Sequence, residues 1–496
     1  MAHDHFGGMS SDAAHGPRRY SLVDVFLWGT ILANIAVAIM LPNLISSGLA
    51  TALYLILLSR IFKKSPLGFL LFSPIIFLHF SALISLNAIE AGAYMKEMGR
   101  LGHASAAGAT WVLVVGVFIW VATSVFTHNR KAPTKPTIAL DASRHRFIGT
   151  WAAPLVVCLF ILWLLMKGAS TGFPLIDGFD RFAYRRVAGD PITLNILNLK
   201  VVISAFLALS AVNCNTAIKR NWHHVIFAAY LGTSFLFGDK FFIIISASLY
   251  YVAIQLAFRP EIIARQAKRF FLPATGALLV AIAMTVYIYS GLGTYGVDKT
   301  FQLLIERFAS QGQLWFIAFT ENFHWIGFDT YGVKENLNAL IENPHQDYVF
   351  EKRLSAFYFI ETYAPSKMFL SFVGNQGYVA PTGVFEAYMI EMFGFFGGLT
   401  VVALAATLLG CIARCIRYAV TTGNPFTVLL PAYILVQFYY LIAAGTPFNV
   451  FGASAFKAYA AFATLQWAVT FWVRKTDLSN AGRSEHNSTP LTKNQN

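Results

Sequence analysis

The chain has 496 residues, 56% hydrophobic and only 12% charged, with 37 Lys and Arg against 24 Asp and Glu for a formal net charge of +13. Soluble proteins average about 25% charged residues, so a water-soluble globule of this size is excluded and lipid is the expected solvent. The basic excess fits the cytoplasmic loops of a membrane protein, and no nucleic-acid partner is expected.

The opening MAHDHFGGMSSDAAHGPRRY is polar and too long for the n-region of a simple signal peptide. No small-residue cleavage site follows the first apolar run, so residues 1–21 read as a cytoplasmic tail leading into an uncleaved anchor. A membrane span needs roughly 20 apolar residues. Runs near that length occur at Leu22–Leu41, Leu44–Phe62, Leu67–Ile89, Ala104–Phe126, Phe147–Met166, Ile192–Val212, His223–Phe237 and Phe241–Phe258. Four more follow at Phe271–Ser290, Tyr388–Ile412, Phe426–Ala444 and Ala453–Trp472. The seventh is short and could instead form a re-entrant hairpin with the eighth. With the N-terminus inside, nearly every short inner segment is basic: Arg60, Lys63 and Lys64; Arg130, Lys131, Lys135, Arg144 and Arg146; Lys219 and Arg220; Arg414 and Arg417. Flipping the chain destroys this positive-inside pattern. The expected fold is therefore all-α, a polytopic membrane protein of about 12 transmembrane helices. Residues 22–290 carry helices 1–9, residues 291–387 a periplasmic loop domain, residues 388–473 helices 10–12, and residues 474–496 a disordered cytoplasmic tail. Within the long loop, Leu304, Phe308, Trp315 and Phe319 form a helical stripe expected to lie on the membrane.

Cations retained outside the membrane call for a reason. Arg181 and Arg185, in DRFAYRRVAGDP, would share a helical face and offer two forked donors to a phosphate or pyrophosphate. The plainer alternative is a solvated loop balanced by Asp177, Asp180 and Asp190. Lys240, in FGDKFF, could meet a lipid phosphate or simply snorkel from a tight turn. Arg307, with Gln311 one helical turn on, would sit at headgroup depth, where a surface salt bridge to Glu306 is the alternative. Glu351, Lys352 and Arg353 read as a solvated mixed run. Lys200 lies inside a span and is an intramembrane cation. Glu386 and Glu391 flank the start of the tenth span, facing a cavity or neutralising such lysines, and Gly394, Gly397 and Gly398 suit close helix packing. Glu321, His324 and Asp329, beside Trp315 and Trp325, are general-base candidates unless they are plain surface residues. The four cysteines suggest neither a disulfide nor a zinc site, and no carboxylate cluster suggests magnesium. No metal or cofactor is expected.

The strings FPLIDGFDRFAYRR, FLFGDKFF, ERFASQGQLWF and VAPTGVFEAYMIEMFGFFGG, in this order around one long outer loop, resemble the Wzy-type O-antigen polymerases. The resemblance runs from about Gly172 to Arg474, and the last string resembles that family's segment re-entering the membrane. It implies a metal-independent glycosyltransferase of the bacterial inner membrane that joins undecaprenyl-pyrophosphate-linked oligosaccharide repeat units at the periplasmic face. An acceptor hydroxyl would attack the donor's anomeric carbon and release undecaprenyl pyrophosphate. On that reading Arg181, Arg185, Lys240 and Arg307 clamp pyrophosphate, Gln311 orients it or a sugar, and Glu321 or His324 is the base. A protein that regulates chain length is the implied partner. An O-antigen ligase, a secondary transporter or flippase of lipid-linked sugars, and a structural membrane subunit remain open alternatives.

Overall fold

A computed structural model describes residues 21–128, 142–177, 184, 189–238, 241–257, 310–342, 352, 354–374 and 385–486. The chain opens on three consecutive helices, α1 (Leu22–Met40), α2 (Leu44–Lys64) and α3 (Pro66–Glu90). Each start has a side-chain cap for its orphan N–H groups. Ser21 and Asp24 form a reciprocal capping box, Asn43 accepts from the Ser46 N–H, and Ser65 precedes a proline at the first helical position. A short antiparallel hairpin, β1 (Tyr94–Met95) with β2 (Arg100–Leu101), interrupts the all-helical pattern and leads to α4 (Ala107–Thr127). Helix α5 (Ala142–Thr171) follows. Helices α6 (Pro191–Asn198) and α7 (Lys200–Val212) meet at a bend of 59°. Next come α8 (Ala217–Leu236) and α9 (Phe241–Leu256), and then four short helices: α10 (Gln313–Glu321), α11 (Thr330–Glu342), α12 (Ala356–Tyr363) and α13 (Ser366–Gly374). The chain closes with α14 (Phe385–Thr422), α15 (Leu429–Ala444) and α16 (Ala453–His486).

Among the described residues, seven helical stretches are long and apolar enough to cross a membrane, or eight if the bent α6–α7 pair is one span. The chain is a helical membrane protein. Helices lie over the expected seventh, eighth and twelfth spans, but α8 and α16 fall short of that measure and α9 is shorter still. The expected ninth span, Phe271–Ser290, lies outside the described residues. Helix α16 runs on through the polar stretch to His486, where the sequence predicts a disordered tail.

Burial separates a centre from a rim. The most apolar windows of α3 and α4 are 61% and 67% buried, those of α1 and α5 only 22%. Leu22, Phe26, Ile45, Leu155 and Met166 are all exposed. Apolar surface on that scale is stable against lipid, not water. At one end of the bundle, Arg60 pairs with Asp24 at 2.8 Å, Lys64 sits 4.2 Å over the Trp120 ring and Arg417 5.4 Å over Phe126. At the other end, the mouth, the hairpin joins α3 to α4, α10 packs against α3 and α4, α12 packs against α10, and α11 packs against α14 and α16.

Helix α10 departs from expectation. In place of a stripe lying on the membrane, its consecutive residues Gln313 to Ala318 are all buried. Trp315 donates from Nε1 to the Ala107 carbonyl at 2.9 Å, and the Gly312 N–H donates to Ser85 Oγ at 2.9 Å. A helix buried all round belongs to a core; here it plugs the space between α3 and α4. Leu304 and Phe308, from the same expected stripe, lie outside the described residues.

Candidate functional site

The site is built around a break in α14. Gly394 has φ 68° and ψ 175°, a non-helical conformation that a side chain would strain. The break folds the chain back on itself: a Cβ on Gly398 would lie 2.7 Å from the Ile390 Cα. In a continuous helix, positions eight apart are about 12 Å distant along the axis. Residues 385–393 thus form a short re-entrant helix packed against the long span of residues 395–422. Breaking a helix frees backbone groups that must find other partners, and the loop after α10 supplies them. The Phe395 N–H donates to the His324 carbonyl at 2.8 Å, Phe396 donates to Trp325 at 3.2 Å, and the Asp329 N–H donates to the Met392 carbonyl at 2.8 Å. A Cβ on Gly394 would lie 2.4 Å from the Gly327 backbone nitrogen, so only glycine fits at 394, whereas one on Gly327 would meet Gly394 at ordinary contact distance.

Glu386 and Glu391 are five residues apart on the re-entrant helix, so they point about 140° apart and differ by about 7.5 Å in height. Glu386 reaches into the bundle centre. It is fully buried and bonds the buried His79 of α3 at 2.7 Å, with the buried Tyr54 of α2 beside the pair. His79 lies eleven residues from the mouth end of α3, about 16 Å deep. The His79 ring packs edge-on against Trp111 and Phe118 of α4.

Glu391 faces the mouth. Its Oε1 accepts from Asn322 Nδ2 at 2.6 Å, Tyr363 Oη at 2.7 Å and Tyr358 Oη at 3.3 Å. Its Oε2 is buried and has no hydrogen-bond partner among the described residues. Burial, with the adjacent Glu391 carboxylate, pushes both phenols above the ordinary tyrosine range, so they remain protonated donors. Beside this group Phe319, Phe323, Trp325 and Phe395 stack edge to edge, with centroids 4.9–5.6 Å apart. Trp325, Ile326, Phe328 and Tyr331 are exposed at the rim.

Of the residues singled out from sequence, Arg181, Arg185, Lys240 and Arg307 lie outside the described residues. Gln311 is half-buried in the turn leading to α10. Glu321 is exposed at the end of α10 and pairs with Arg100 of the hairpin at 2.9 Å. His324 is exposed in the loop after α10, its carbonyl committed to Phe395. Glu321 and His324 therefore flank the Glu391 group. Lys352 is half-exposed and lies 3.9 Å from the buried Glu335, while Glu351 and Arg353 lie outside the described residues. Among the described residues no group of three or more His, Cys, Asp or Glu is placed to hold a metal ion.

Sequence reasoning missed Asn322, Tyr358, Tyr363 and Arg100. A signal existed for Arg100: in the expected topology its loop is on the outer side, so it too is a misplaced cation. The tyrosines had no such signal, because a phenol in an aromatic-rich loop looks like any other.

The profile of a family of unknown function (DUF6418) matches residues 351–457. That stretch holds Tyr358, Tyr363, both carboxylates of the re-entrant helix and the Gly394 break. No curated protein and no solved structure matches the chain.

Proposed function

We propose that the protein is a glycosyltransferase of the bacterial inner membrane that joins undecaprenyl-pyrophosphate-linked repeat units into a surface polysaccharide, with the mouth facing the periplasm. The observation that carries this reading is Glu391: one carboxylate oxygen held by three donors, the other without a partner among the described residues, beside an aromatic wall. Aromatic faces suit sugar rings, and a fixed carboxylate with a free oxygen suits a general base. In the reaction, the proton of an acceptor hydroxyl passes to Glu391 Oε2. The hydroxyl oxygen bonds to the donor's anomeric carbon, and the bond from that carbon to the pyrophosphate oxygen breaks. Undecaprenyl pyrophosphate leaves with the electron pair, and Glu391 returns its proton to water. This moves the base from Glu321 and His324, of which the first is paired with Arg100 and the second is exposed at the rim.

The test is polymerisation by purified protein supplied with lipid-linked repeat units. Glu391→Gln keeps the hydrogen-bonding shape but removes the base, and the rate should fall about 100-fold or more. Wild-type rates from Glu391→Gln would remove the reading. A second reading, a transporter of lipid-linked sugars, draws on the bent α6–α7 pair with Lys200 buried beside the bend. Under it, purified protein in vesicles would move labelled lipid-linked units between leaflets and form no polymer.

A further inference from the structure

We propose that Arg100 is the residue of the mouth that takes hold of a phosphate group, gripping two of its oxygens with one edge of the guanidinium. Arg100 begins β2, and its Nη1 donates to Glu321 Oε1 at 2.9 Å. Its Nε and Nη2 are buried and have no acceptor among the described residues. A guanidinium is planar, and Nε–H and Nη2–H lie along one edge as parallel donors. With Nη1 engaged by Glu321, that edge is the one left, and its direction is fixed. Two buried donors on a permanent cation are costly when left without acceptors. Their spacing fits two oxygens on a single centre, the pattern of a carboxylate or a phosphate.

The surroundings hold this edge in place. Gly99, at φ 66°, makes the turn before β2, and a Cβ there would lie 2.6 Å from Pro365 Cγ. The hairpin is thereby pressed onto the strand of chain that follows Tyr363, one of the Glu391 donors. On the other side, the consecutive residues Glu321 and Asn322 bind Arg100 and Glu391 respectively. Arg100 is thus tied to the Glu391 group from two directions, while drawing its own orientation from Glu321. The nearby rim of Trp325, Ile326 and Phe328 is exposed and apolar. A ligand that suits both features is an amphiphile with an oxyanion head, and of the two head groups we commit to phosphate. The identity of that amphiphile as the polyprenyl pyrophosphate rests on the glycosyltransferase reading; the oxyanion grip itself does not.

Binding can be measured without turnover, by calorimetry on the purified protein in detergent. Two probes are used: inorganic pyrophosphate, and a short-chain prenyl pyrophosphate. The prenyl compound should bind, and Arg100→Lys should weaken it about tenfold or more, because a point charge cannot reproduce a two-oxygen contact. Arg100→Gln should weaken it further. Should the glutamine variant fail to fold, the lysine variant, checked for unchanged melting temperature, decides the matter. Glu321→Gln, which loosens the orientation but leaves the cation, should weaken binding less than Arg100→Lys. Equal affinity for both probes supports a free-phosphate grip, and preference for the prenyl compound supports a lipid-borne one. Binding lost in Arg100→Lys by a protein that never polymerises would remove the glycosyltransferase reading and keep the grip. Unchanged affinity for both probes in folded Arg100→Lys and Arg100→Gln overturns the grip, whatever the polymerisation rate.

Discussion

On the glycosyltransferase reading, the donors to Oε1 hold Glu391 in the orientation that presents Oε2 to the acceptor hydroxyl. The two phenols are unequal: Tyr363 sits at 2.7 Å and Tyr358 at 3.3 Å. A hydrogen bond to a charged group contributes about 1.5–3 kcal/mol, and about 1.4 kcal/mol is a tenfold change in rate. Tyr363→Phe should therefore slow polymerisation about tenfold or more, and Tyr358→Phe distinctly less. Initial rates of the two variants, compared side by side, check the order; equal rates, or the reverse order, would count against the donor arrangement. Little of this was legible in the sequence. Glu391 could be singled out as a charge at the edge of a span, but its three donors come from a loop and a short helix that no local pattern ties to it. Glu321 looked like a free acid because Arg100, its partner, lies 221 residues away in the chain.

Elements that depend on local chemistry were easier to read. Leu22–Met40 and Leu44–Lys64 follow from apolar runs that begin at capping residues and end at polar or basic ones. The fold-back in α14 does not follow from anything local. Gly394, Gly397 and Gly398 read as close-packing residues inside one span, and only the docked loop of residues 324–329 makes the break stable. Two consequences can be measured. Gly394→Ala combines a left-handed backbone with a Cβ pressed against Ile326 Cα at 2.8 Å. That essentially glycine-only backbone region alone costs a side chain about 1–3 kcal/mol, so the melting temperature should drop and activity should be lost. Gly48→Ala, with nothing within 4 Å, should instead hold or raise the melting temperature. The second consequence concerns α6. The Thr193 N–H, the Thr193 hydroxyl and nearby Lys167 hold the Asp190 carboxyl at about 2, below its ordinary 3.8. Because the folded value is the lower one, the cap stabilises fully above pH 3.8 and its contribution fades as pH falls towards 2. The melting-temperature gap between wild type and Asp190→Ala should narrow over that window and stay constant above it.

At the scale of the whole molecule, the bundle is joined front to back through its centre. His79 and Glu386, 307 residues apart, meet where neither sees solvent. Removing one partner of a buried pair leaves the other uncompensated, at a cost of about 3–5 kcal/mol, whereas replacing both with apolar residues is often nearly neutral. His79→Leu and Glu386→Leu should each lower the melting temperature strongly, and the double variant should recover most of the loss. Additive losses would mean that the two residues act separately. The second expectation is topological. Basic side chains gather at one end of the bundle and the Glu391 group at the other, so the positive-inside rule predicts that the mouth faces away from the cytoplasm. An alkaline-phosphatase fusion at Lys334 of α11 should be active and one after Lys64 inactive; the opposite result reverses the orientation. That expectation rests on the sequence alone because charge counting needs no tertiary contacts. The re-entrant helix could not be drawn from it, since its depth is set by His79.

The meeting of His79 and Glu386 also sets a clock. Ribosomes add about 5–20 residues per second, so roughly 15–60 seconds separate the synthesis of one partner from that of the other. Through that interval α3 already stands in the bilayer with an imidazole near its midpoint and no carboxylate to meet it. The newborn protein must pass through a half-made state whose centre is polar and open. During that state a chaperone, a protease or the cell's insertion machinery can tell a finished molecule from an unfinished one.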